Sequence, residues 1–224
     1  MMKLIRKTIP ASTRYVFLLL LVICTKALAQ DGDIDRIDKQ GERLLQVLEL
    51  SQVEQLWLPG LHVNWESGEA DGKPLKGNGK HTHCSAFAAA IAKRLGIYLL
   101  RPPEHSATLL ANAQYDWLTS AGKTAGWDQL TDSKEAQALA NRGLFVVAVY
   151  RNHHDDRPGH IAIIRPDQKT VQRVIEEGPQ ITQAGATNYL STTLKQGFVS
   201  HPAAWNKKEV RFFAHPIAWA DTKL

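Results

Sequence analysis

Two residues in this chain have the chemistry of a nucleophile and a base. Cys84 lies in HTHCSAFAAAIAKRLG at 81–96, and His160 follows Pro158-Gly159 at the head of HIAII. A thiol and an imidazole brought together can carry out covalent acyl transfer: the imidazole takes the thiol proton and later returns a proton to the leaving amine. Either residue alone has a plainer reading. Cys84 could be a small hydrophobe filling space at a helix start. His160 could be a hydrogen-bonded histidine opening a strand.

The elements that would hold them follow from periodicity. Phe87, Ile91 and Leu95 recur at i, i+4 and i+8, the alanines between favour helix, and Gly96 is placed to end it. Cys84 then sits at a helix N-terminus. Unpaired N–H groups and the positive end of the macrodipole favour a thiolate there, which predicts a lowered pKa and a ready-made oxyanion site around Cys84 and Ser85. His160 to Ile164 reads as a short strand, so His160, Ala162 and Ile164 share one face. Further helices are expected over 33–50, over His105 to Ala121, and from Asp132, whose spacing to Glu135 suits a capping box. LFVVAVY at 144–150 reads as a buried strand, with weaker strands at 179–184 and 210–214. Glu66 to Lys80 is glycine-rich and polar and reads as a long surface loop. Helices first and strands afterwards predict an α+β domain with helices on one side of an antiparallel sheet.

The 224 residues are 44% hydrophobic and 22% charged, which suits one globular domain with a short addition and excludes a disordered or repeat protein. The net charge of +5 comes from residues 1–29, where Lys3, Arg6, Lys7, Arg14 and Lys26 stand without any acid. The remaining 22 basic residues equal the 22 acidic ones. No basic footprint is left for a polyanion, so a nucleic-acid partner is not expected. A basic start, an apolar run from Tyr15 to Cys24 and Ala27-Leu28-Ala29 together read as a secretory signal at 1–29. The expected product is exported, to the periplasm or the medium, and keeps no stable membrane anchor after cleavage. Its one remaining cysteine would be Cys84, which excludes an internal disulfide.

A third polar residue would orient the imidazole. GPQITQAGATNY at 178–189 offers Gln180 and Gln183, with Glu176, Glu177 and Asn188 as further candidates. His83-Cys84-Ser85-Ala86-Phe87 and Gly159-His160-Ile161-Ala162-Ile163-Ile164, in that order behind an export signal, resemble the papain-like fold of CHAP and NlpC-type cell-wall hydrolases. The resemblance covers 80–224 as a catalytic domain, with 30–79 as an N-terminal helix and loop packed on the body. It implies cleavage of a peptidoglycan amide, within the stem peptide or between peptide and sugar, through an acyl-enzyme and without a cofactor or metal. It also implies that Asn64 or Trp65, upstream of the cysteine, supplies an oxyanion donor or a wall of the cleft. Ser85 and Asn188 complete the expected substrate-binding set. An inhibitor or immunity protein would be a natural partner, and nothing in the sequence speaks to oligomeric state.

Two other readings stand beside this one. His81, His83, Cys84, His153, His154, Asp155 and Asp156 contain donors enough for a zinc-dependent amidase, although their spacing fits no closed zinc pattern. Six tryptophans, Trp57, Trp65, Trp117, Trp127, Trp205 and Trp219, could line a groove in a non-catalytic periplasmic binding module, with Cys84 then structural.

Overall fold

Phe145–Tyr150 is buried at all six positions, so it needs apolar cover on both of its faces, and it lies near the middle of the sheet. The computed structural model describes residue 32, residues 34–74 and residues 82–220; the expected signal segment at 1–29 and His81 lie outside the described residues. Helices α1 (Lys39–Glu49), α2 (Cys84–Arg94) and α3 (Leu110–Ser120) come first. Then follow β1 (Asp128–Gln129), α4 (Ser133–Asn141), β2 (Phe145–Tyr150) and β3 (His160–Ile164). The chain continues through α5 (Val171–Glu177), β4 (Gln180–Gln183), β5 (Tyr189–Thr193), α6 (Leu194–Gly197), α7 (Pro202–Asn206) and β6 (Arg211–His215).

The fold is α+β, with one six-stranded antiparallel sheet in the order β1-β6-β2-β3-β4-β5. Helices cover both faces, where the sequence led us to expect one. Val147, Val149, Ile161 and Ile163 pack with Leu44, Leu48, Phe87, Ile91 and Leu118 of α1–α3. On the other face Val146, Ala148, Ala162 and Ile164 pack with Ala136 and Ala140 of α4 and with Leu194 and Phe198. Alternation along each strand divides the two cores, and the unbroken apolar run of β2 is the sequence sign of double cover. No helix among the described residues is long and apolar enough to cross a membrane.

Local chemistry sets the ends of the elements. Gly96 takes φ +74° directly after α2, a conformation that costs a side chain energy but glycine little. Asp132 caps α4 by accepting from the N–H groups of Lys134 and Glu135, while the Glu135 carboxylate accepts from Thr131 N–H instead of reaching back to Asp132. Helix α3 begins at Leu110 and not at His105, because Leu109 is left-handed at φ +54° and cannot continue a helix toward the N-terminus.

Candidate active site

The nine residues Cys84 to Ala92 of α2 are all buried, because the small alanines let the helix lie close on β3. Phe87 is buried against Trp57 with ring centroids 5.1 Å apart, and burying such a ring contributes about 2 kcal/mol. The packing carries Cys84, in the first turn, to the end of the sheet where β3 starts. There its sulfur meets the backbone N–H of Ile161, the N–H groups of Ser85 and of Cys84 itself, and the Ser85 hydroxyl. The peptide group of that Ile161 N–H is the one that joins it to His160, so thiol and histidine occupy neighbouring positions at the sheet end.

The His160 ring turns to the opposite face of the strand. It lies edge-on to Phe198 at 4.6 Å and stacks on His201 at 5.7 Å. Its Nε2 is 2.8 Å from Gln183 Oε1. Gln183 Nε2 in turn donates to the Thr187 carbonyl at 3.2 Å. A carbonyl can only accept, so the Gln183 amide must present its oxygen to the imidazole. That oxygen can only accept too, so Nε2 carries the hydrogen and Nδ1 is the basic nitrogen. Nδ1 is the nitrogen nearer the strand backbone, and it makes no hydrogen bond among the described residues. None joins it to the Cys84 sulfur either. Hydrogen bonds of this kind are commonly long before substrate arrives.

Burial governs the charge state of both groups. Cys84 is 4% exposed, and loss of water pushes its thiol pKa above the usual value despite the N–H groups that pull it down. This corrects the expectation from the helix N-terminus: the backbone dipoles are there, but desolvation outweighs them. His160 is 5% exposed, and burial presses its pKa below the ordinary 6.5, with the Gln183 hydrogen bond acting the other way. The two shifts move apart, so at neutral pH the pair is thiol and neutral imidazole.

The sequence matches no protein-family model and no curated protein. Whatever function is assigned therefore rests on the site itself and on the motifs that compose it.

Of the other residues named from the sequence, some join this site and others serve elsewhere. Gln183, 2% exposed, is the glutamine that meets the His160 ring. Gln180 lies at the start of β4 and bonds Ser191 and, through its N–H, Gln137, so it does not reach the histidine. Asn188 holds the chain together: its amide donates to the carbonyls of Val53, Leu56 and Trp57 and accepts from Gly185 N–H. Both of its N–H donors are spent on the chain itself. Asn64 is likewise engaged, accepting from Glu66 and Ser67 N–H in a local turn. Trp65 lies under the Lys93 ammonium of the last turn of α2, whereas Cys84 is in the first.

His153 pairs with Glu209, and Asp155 with Arg151, so the acidic and histidine-rich loop diverges. Glu177 is bound to Lys169 and Arg173, and Glu176 to Gln172. No three His, Cys, Asp or Glu side chains among the described residues are grouped to hold a metal ion. A cleft of about 300 Å³, lined by Tyr115, Arg151, Asn152, His153, Glu209 and Arg211, opens at the same end of the sheet, past Tyr150.

Sequence reasoning missed His201 and Phe198, the rings packed on His160, and Tyr150, which backs His201. Tyr150 was legible, since it ends the strand that pairs with β3. Phe198 and His201 fall in a stretch with neither strand nor long-helix periodicity, and no local signal marked them.

Proposed function

We propose that this chain is a cysteine hydrolase that cleaves a peptide amide through an acyl-enzyme, on a papain-like scaffold. The hydrogen bond from His160 to Gln183 carries this reading, because it fixes the tautomer that leaves Nδ1 basic and unbonded, in the residue whose following peptide N–H faces the Cys84 sulfur.

The chemistry follows from the resting charges. Thiol and imidazole are both neutral, so Nδ1 takes the proton as the sulfur attacks the scissile carbonyl, forming the C–S bond. The oxyanion falls to the first-turn N–H groups around Cys84 and Ser85, the same groups that face the sulfur. When the C–N bond breaks, the imidazolium returns its proton to the leaving amine. Water then gives a proton to Nδ1 and attacks the thioester, and the thiol is restored with release of a carboxylic acid. Gln183 is neutral, so it orients the ring and adds no charge to stabilise the imidazolium.

The substrate class we propose is the peptide portion of peptidoglycan, reached by export through the leader at 1–29. Support for it comes from the motif order and the leader. The test is mass spectrometry of soluble muropeptides incubated with the protein or with its Cys84→Ala variant. Products that identify one broken amide with wild type only are expected. Equal products from both, or none from wild type, would overturn the reading. The burial of Cys84 favours one rival, a non-catalytic binding module with a core cysteine. It predicts muropeptide binding without turnover.

A further inference from the structure

We propose that His201 is a positioning residue for His160, a stacked ring that keeps the base dry and aligned for the thiol. The inference rests on the hydrolase reading above. His201 precedes α7 and lays its ring nearly parallel to that of His160, at 21° and 5.7 Å between centroids. Tyr150 backs it at 5.5 Å, and Phe198 closes the edge of His160 at 4.6 Å. His201 and Phe198 therefore fix the plane of the imidazole, Tyr150 braces His201 from behind, and Gln183 fixes the rotation within that plane.

Position and polarity separate His201 from the other two rings. Phe198 and Tyr150 are buried, whereas His201 is half-buried, so of the three it is the ring that reaches from His160 toward water. Its ring nitrogens make no hydrogen bond among the described residues. Burial and the neighbouring His160 press its own pKa to about 4, so it is neutral wherever His160 must act as a base. The groups facing the pair are Gln183 from β4, Tyr150 from the end of β2 with His153 and Glu209 beyond it, and the Cys84 thiol across the Ile161 peptide. No carboxylate touches either ring among the described residues. Exclusion of water is thus the main influence on the His160 charge, and His201 is its removable part.

The sign is fixed. Truncating His201 admits water to His160, solvates the imidazolium and raises the pH at which His160 charges, toward 6.5. A phenyl ring in its place keeps the water out.

The test uses the whole protein in three forms: wild type, His201→Ala and His201→Phe. NMR titration of the histidine ring signals, with His160 assigned by its loss in His160→Gln, reads protonation directly. The pH profile of muropeptide hydrolysis reads its consequence. The His160 midpoint is expected to rise by at least about half a pH unit in His201→Ala and to stay in place in His201→Phe, with the acid limb of activity following it. A midpoint unmoved in His201→Ala, or moved equally in both variants, would overturn the proposal. The NMR result stands even if no form hydrolyses muropeptide, so failure of the stack and failure of the hydrolase reading are distinguishable.

Discussion

His160 Nε2 and Gln183 Oε1 meet at 2.8 Å on one face of the sheet, and the Thr187 carbonyl holds the Gln183 amide in the only orientation that permits it. Removing that acceptor lets the ring turn and change tautomer. Gln183→Ala is expected to lower kcat by about 10²-fold with little change in KM, the scale of a misplaced catalytic group. Gln183→Glu is expected to act differently. A carboxylate beside Nε2 favours the imidazolium, so the acid limb of the pH–rate profile should move to higher pH. Steady-state kinetics across pH 4 to 9 reads both effects; identical profiles for the two variants would refute the orienting role.

A second expectation concerns a residue that touches neither thiol nor imidazole. A Cβ on Gly197 would lie 2.6 Å from Gln183 Oε1 and 2.3 Å from Ile181 Cδ1, too close for either to keep its place. Gly197→Ala should therefore cost about 1–3 kcal/mol of stability, as overpacking does. It should also lower turnover more than an equally destabilising change in α5, which is remote from the pair. Urea midpoints alongside kcat for both kinds of variant make the comparison.

The resting thiol should be sluggish. Burial holds the Cys84 pKa above its usual value, so the thiolate is scarce at neutral pH. Iodoacetamide should alkylate the folded protein more slowly at pH 7 than the urea-unfolded chain, with the rate still rising above pH 9. A rate plateau below pH 7 would show a preformed thiolate–imidazolium pair and contradict the neutral resting state.

Much of this arrangement was legible in residue order, for physical reasons. Cys84 at a helix start and His160 at a strand start follow from short-range periodicity, which a few residues suffice to express. The strand His160–Ile164 has the bounds the pattern predicts, and α+β follows from the order of elements. Choosing between Gln180 and Gln183 needed the register of β4, because neighbouring glutamines of a strand diverge and only the fold says which faces His160. Asn188 looked like a substrate contact since its type suits one; its actual partners at 53–57 are more than 130 residues away in sequence. The thiol pKa escapes a local reading for a related reason. A helix N-terminus can be read locally, while burial is set by the core formed with β3 and α1.

The buried histidines also predict how the fold answers to acid. His201 is held at about 4 and His160 below 6.5, so in the folded protein both stay neutral where the unfolded chain would take up protons. The unfolded state thus binds more protons between the folded values and 6.5, and stability must fall as pH drops through that window. Their contribution is complete above pH 6.5, declines from there, and the His201 part is spent near pH 4. Urea unfolding at pH 7.5, 5.5 and 4.5 should show a falling midpoint, and His201→Phe, which removes one of the two titrations, should show a shallower fall. A His201→Phe midpoint that falls as steeply as wild type would mean that His201 titrates alike in folded and unfolded chains, which its stacked and half-buried place beside His160 contradicts.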